Sequence, residues 1–137
     1  MTIRIKRVYE PASPEDGYRV LVDRLWPRGV SRATARIDVW ARVLAPSDAL
    51  RRWFGHDPER WDEFRRRYRR ELAQAEPKAA LADLAAHARR GPVTLVYGAR
   101  DPEHNQAVVL AALLRARLAG RRRTGGASGV AAPPRRR

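Results

Sequence analysis

Five consecutive residues, Val93-Thr94-Leu95-Val96-Tyr97, stand between Gly91-Pro92 and Gly98. The run is too short for a helix, is rich in β-branched residues, and lacks the apolar–polar alternation of a half-exposed strand. It predicts the clearest strand of the chain. Parallel strands need crossovers, and the segments on either side of this run have helical periodicity. Downstream, Val108, Val109, Leu110, Leu113, Leu114 and Leu118 make a broad apolar face. Upstream, Leu81, Leu84, Ala85 and Ala88 share one face of a helix that Pro77 starts and Gly91-Pro92 closes.

Two more helices precede that one. Ser47 is a natural N-cap, with Asp48 in the first turn and Leu50, Trp53 and Phe54 on one face. Gly55-His56-Asp57-Pro58 breaks the pattern, and Asp57 with Pro58 restarts it. Trp61, Phe64, Tyr68 and Leu72 then recur at spacings of three and four, a core stripe. Asp62 with Arg66, Glu63 with Arg67 and Arg67 with Glu71 are spaced as i,i+4 pairs on the polar side. Near the start, Thr2 to Val8 alternates and predicts a strand near a sheet edge. Arg19 to Asp23 is more continuously apolar and more central. Ser31 can cap a short helical turn through Ala35, and Ile37 to Val43 suggests a further short strand. The expected fold is α/β: a single layered domain with a small, mainly parallel sheet of about four strands flanked by helices. Only about ten residues join the first two strands, short for a crossover, so their mutual orientation stays open.

Charge divides the chain. Of 29 basic residues, six are arginines in the segment 120–137, which contains no acid and almost no large apolar residue. The other 23 face all 15 acids, so residues 1–119 carry +8 of the total +14. We therefore expect an α/β domain over 1–119 and a disordered basic tail over 120–137. The tail could bind nucleic acid through phosphates, although no nucleic-acid motif is present. The chain has no cysteine, which excludes disulfides, thiolate catalysis and cysteine-ligated zinc. No apolar run approaches the roughly 20 residues of a membrane helix, and the first residues lack a signal-peptide core. A cytoplasmic protein with no membrane association is the expectation; the oligomeric state stays open.

Function is expected where parallel strands end, because ligands bind beyond their carboxyl ends. Two strands run into polar turns there. One leads into Asp23-Arg24-Leu25-Trp26-Pro27-Arg28-Gly29, the other into Gly98-Ala99-Arg100-Asp101-Pro102-Glu103-His104-Asn105. If these strands are parallel neighbours, the loops share one crevice. Arg24, Arg28 and Arg100 could fork onto a carboxylate or phosphate, Trp26 could stack, and His104 and Asn105 could hydrogen-bond, beside a helix N-terminus that favours anions. Ser47 joins these as a candidate ligand-binding residue, and Asp23 or His56 is the candidate proton carrier for any chemistry. The competing reading is structural: Asp23 and Arg24 pair with neighbouring charges, Trp26 plugs the end of the sheet, and His56 packs or caps. The three histidines lack metal-ligand spacing, so no metal is assigned. No glycine-rich phosphate loop is present, so no cofactor is assigned.

The string from Val20 to Gly29, VLVDRLWPRG, occurs with Trp40, with Leu44-Ala45-Pro46-Ser47, and with Trp53-Phe54-Gly55-His56-Asp57. Together with Trp61, Phe64, Tyr68, Glu71-Leu72 and the strand at 93–97, it closely resembles the YeaO-like branch of the domain of unknown function 488 family, over about residues 2 to 118. The resemblance implies a small bacterial or archaeal α/β domain and carries no established activity. It marks Asp23, Arg24, Trp26, Pro27, Arg28, Gly29, Pro46, Ser47, Trp53, His56 and Asn105 as matching the family pattern. Broader relatives often carry a cysteine in the loop after the last strand, where this chain has Glu103-His104-Asn105-Gln106, so a thiol mechanism does not transfer. Gln106 before Ala107 also departs from the branch, which commonly has asparagine or histidine there. Three functions remain: a small anionic ligand site, possible catalysis included; a nucleic-acid-associated module; and a protein-interaction module.

Overall fold

A computed structural model describes residues 2–128, with side chains as far as Gly120. Four strands, β1 (Ile3–Arg7), β2 (Tyr18–Leu21), β3 (Val39–Trp40) and β4 (Val93–Tyr97), form one sheet in the order β1-β4-β2-β3. Every pairing is parallel. Five α-helices accompany them: α1 (Arg32–Ala35), α2 (Asp48–Phe54), α3 (Trp61–Leu72), α4 (Ala75–Arg90) and α5 (Gln106–Ser128). The fold is the expected α/β class. The apolar run at 93–97 is a central strand with partners on both sides, and all five of its residues are buried. The open question about β1 and β2 is resolved: both run parallel to β4, which lies between them.

The two faces of the sheet are covered differently. Ile3 and Ile5, Val93, Leu95 and Tyr97, and Tyr18, Val20 and Val22 face helices α2 to α5 and make the main core with Phe54, Phe64, Tyr68, Leu84, Leu110 and Leu114. The opposite face packs Leu21 and Val96 against Val8, Ala35, Trp26, Val30, Ile37 and Trp40, all from loops, α1 and β3. This second layer is where the ten-residue link from β1 to β2 becomes possible. It needs no long helix, because it crosses the sheet as a short loop with one 3-10 turn at Pro14–Asp16. Gly17 then passes so close to β4 that a Cβ would lie 2.3 Å from the Pro92 carbonyl oxygen, and its φ is +64°. Only glycine suits both demands.

Polar groups fasten this loop layer. Arg19, on β2 and buried, pairs with Asp16 at 2.6 Å and gives two further hydrogen bonds to the Ala35 carbonyl. Asp16 also receives Lys6 at 3.1 Å, and its own carbonyl accepts the Thr94 hydroxyl. Burial pushes the Asp16 carboxyl upward, but hydrogen bonds from the Ser13 backbone, Lys6 and Arg19 outweigh it and hold the group below its ordinary value.

Local signals for the helices are met with three differences. Ser31, Ser47 and Asp57 each accept a backbone N–H at the start of the element they precede. Helix α4 begins at Ala75, so Pro77 sits in its first turn rather than at its first position. On α3, Arg65 pairs with Asp62 and both Arg66 and Arg67 pair with Glu63. The expected Asp62–Arg66 and Arg67–Glu71 pairs do not form: Asp62 takes Arg65 and Arg66 takes Glu63, while Glu71 turns to Ser47. Helix α5 continues to Ser128, past the expected boundary at 119; the rest of the expected basic tail, residues 129–137, lies outside the described residues. No helix among the described residues is long and apolar enough to cross a membrane.

Candidate functional site

Because β2 and β4 are parallel neighbours, Val22 and Tyr97 end side by side and release their loops at the same edge of the sheet. Between these loops lies an open cleft of about 370 Å³. Its lining includes Asp23, Arg24, Trp26, Pro27 and Arg28 from the first loop, and Gly98, His104 and Asn105 from the second. Helix α2 and the break after it add Arg51, Phe54 and His56, and Phe64 comes from α3. A second, outer hollow of about 870 Å³ adjoins it, sharing Tyr9, Arg28, His56, Gly98 and Ala99 and adding Arg7, Arg100 and Asp101.

Asp23 lies at the base. One carboxylate oxygen accepts the Gly98 backbone N–H at 3.0 Å, and the other accepts Gln106 Nε2 at 2.5 Å. Its carbonyl accepts the Trp40 indole N–H at 2.8 Å. Asp23 thus clamps the end of β2 to the end of β4 and to the first turn of α5. It forms no ion pair with the arginines of its loop. Burial disfavours its charged form and raises its pKa from 3.8 to about 6, against the two hydrogen bonds, which favour the anion. A Cβ at Gly98 would come within 2.8 Å of the Asp23 carboxylate, so any side chain there would push Asp23 out of this contact.

The two arginines of the loop differ. Arg24 donates Nε to the Pro46 carbonyl at 3.1 Å and lies 3.7 Å from Asp48, itself 3.2 Å from Arg51. Arg28 is exposed; its carbonyl accepts the Tyr9 hydroxyl at 2.9 Å, while its guanidinium has no hydrogen bond or ion pair among the described residues. Trp26 borders the cleft but directs its indole N–H to the Val30 carbonyl at 2.7 Å. Its ring meets Trp40 edge-on and carries Arg32 at 4.3 Å, so most of its role is in the loop-side core.

The remaining candidates divide as follows. His56 borders both hollows with a left-handed φ of 58°, and its ring is tilted against Phe54. His104 borders the cleft, with Nδ1 2.8 Å from Asp101 and its ring edge-on to Trp61. Asn105 is buried: its side chain receives the N–H groups of Ala107 and Val108 and donates to the Asp101 carbonyl. It is the N-cap of α5, which leaves little of its amide for a ligand. Ser47 lies outside the cleft, because Glu71 accepts both its N–H and its hydroxyl, at 2.8 and 2.6 Å. Arg100 borders only the outer hollow. Among the described residues no group of three or more histidine and acidic side chains could hold a metal ion.

Sequence reasoning missed Gln106, Tyr9, Arg7 and Arg51. Gln106 directly follows the candidate Asn105, and a polar side chain opening an apolar helix was the available signal. Tyr9, Arg7 and Arg51 carried none, since their places depend on the positions of β1 and α2 beside the sheet edge.

These features define a class: a small parallel α/β protein with a basic, partly apolar cleft at the carboxyl edge of its sheet. A family profile described as "Inactive DUF488-N3 subclade" matches residues 2–133. Uncharacterized proteins of Mycobacterium tuberculosis and Mycobacterium bovis are 46% identical over 115 residues, covering 84% of this chain and 95% of theirs. The uncharacterized protein YeaO of Escherichia coli is 45% identical over 116 residues, covering 84% of this chain and 98% of its own. No solved structure matches. The chain belongs to the DUF488 family, among its YeaO-like members.

Proposed function

We propose that the cleft binds a small organic anion, and that binding rather than covalent chemistry is its task. The observation that carries this is the state of the charges. Asp23, the carboxylate at the base, has both oxygens occupied by Gly98 and Gln106, while the Arg28 guanidinium at the rim has no partner. An unpaired guanidinium beside an apolar floor of Phe54, Phe64 and Pro27 suits an anion with an organic body. The hydrogen bonds on Asp23 fit a clamp better than a general base. The chain's lack of cysteine, and the description of the matching subclade as inactive, support binding without turnover.

Thermal unfolding of the full chain against phosphates, nucleotides and carboxylates, at low and moderate salt, tests the reading. A ligand at 100 times its Kd should add about 2.7 kcal/mol of stability. Arg28→Ala should abolish a salt-tolerant rise and leave the unliganded melting temperature nearly unchanged, because Arg28 is exposed. A rise of equal size in the variant would overturn the proposal. Stabilisation only by polynucleotides, lost steeply with salt, would favour phosphate contacts of the basic segments instead.

A further inference from the structure

Three adjacent strands in the order β1-β4-β2 end at the same edge of the sheet, and each brings one arginine to the outer hollow, at its end or on the loop that follows. Arg7 is the last residue of β1, Arg100 follows β4, and Arg28 lies on the loop after β2. We propose that Arg7, Arg28 and Arg100 form a phosphoryl-binding subsite, and that the ligand of the cleft is a phosphate monoester of a small apolar or aromatic alcohol. The inference rests on the anion-binding reading of the cleft and names its ligand class.

None of the three guanidiniums has an ion-pair partner among the described residues. Two nearby acids, Asp101 and Glu10, are otherwise engaged. Asp101 accepts the backbone N–H groups of Glu103 and His104 and lies against the His104 ring, and Glu10 accepts the Arg7 backbone N–H. Arg7 is held in place: Nε donates to the Ala99 carbonyl at 2.9 Å, and its guanidinium lies 4.6 Å over the Tyr9 ring. That bond leaves both terminal nitrogens of Arg7 for a ligand. Tyr9 in turn donates its hydroxyl to the Arg28 carbonyl, tying the first strand's exit to the loop after the second. Three planar forks around one hollow match the three terminal oxygens of a phosphate dianion better than the two of a carboxylate. The adjoining cleft, with Phe54, Phe64 and Pro27 in its lining and a volume of about 370 Å³, has room for a small organic body.

Calorimetric titration of the full chain with phenyl phosphate, inorganic phosphate and phenylacetate tests this. Phenyl phosphate should bind about ten-fold more tightly than either other probe, and Arg7→Gln and Arg100→Gln should each weaken it about ten-fold. Phenylacetate binding should change little in those two variants. Arg100 is exposed and makes no contact that folding needs, so Arg100→Gln decides the matter if Arg7→Gln folds poorly. If Arg28→Gln abolishes binding while Arg100→Gln leaves it unchanged, the cleft still binds anions and the subsite is overturned. Phenylacetate binding as tightly as phenyl phosphate would overturn it too. No binding of any probe, with Arg28→Gln without effect, would remove both the subsite and the anion-binding reading.

Discussion

Asp23 shows how one side chain can hold a site together at a cost in stability. Its carboxyl is buried between two strand ends and a helix start, and its pKa rises from 3.8 to about 6. Folding therefore favours the protonated form. This group's contribution is fully present below about pH 4 and is lost as pH rises through about 6, a change on the order of 2–3 kcal/mol. Asp23→Asn keeps an acceptor for Gly98 and removes the charge. The stability difference, variant minus parent, should grow in the variant's favour from pH 4 to pH 7, measured by urea unfolding at each pH. A flat difference would mean that the carboxylate is solvated in the folded protein. Asp23 and Arg28 were both legible as candidates in the string DRLWPRG. Their different conditions, one clamped and one unpartnered, were not, because the clamp comes from Gly98 and Gln106, more than seventy residues away.

At the scale of the element, helix starts were the most readable feature. Ser31, Ser47 and Asp57 cap the elements that follow them, since an N-cap needs only a short acceptor side chain and the next few backbone N–H groups. Helix α2 adds what local pattern cannot show. Glu71 reaches from α3 to take both the N–H and the hydroxyl of Ser47, fixing where α2 begins relative to α3. Ser47→Ala should cost about 1–2 kcal/mol in chemical denaturation and leave anion binding unchanged. A lost ligand response with full stability would return Ser47 to the site. The choice of Glu71 between Arg67 and Ser47 could not be read from spacing, because i,i+4 geometry offers one partner and the neighbouring helix offers a better hydrogen-bonded one.

At the scale of the whole molecule, the sheet has one helical cover and one made of loops. Strand β4 is paired on both edges, with helices on one face and the loop layer on the other, while β3 is a two-residue edge strand. Hydrogen exchange should follow that asymmetry. The amides of β4 should exchange only with global unfolding, and those of α1 and β3 through smaller openings of the loop layer. Equal protection in both regions would mean that the loop layer unfolds only with the core. The polar bridge of Lys6, Asp16 and Arg19 is what could bring the two closer together, because freeing the loop would strand the buried Arg19 charge.

The amino-acid sequence by itself determined most of the element types, the strand at residues 93–97, the α/β class and the loops after β2 and β4 as the place to look for a site; of the strand expected over residues 37–43 only Val39–Trp40 forms. Periodicity, caps and turn residues are local, so they can be read along the chain. Tertiary structure alone decided the strand order, the parallel path of the short β1–β2 link, the separation of Ser47 from the cleft, and the meeting of Arg7 with Arg28 and Arg100. Those outcomes depend on which surfaces pack together. The burial of Asp23 and the contacts that engage Glu10 and Asp101 are properties of the assembled sheet edge, and no spacing in the sequence encodes them.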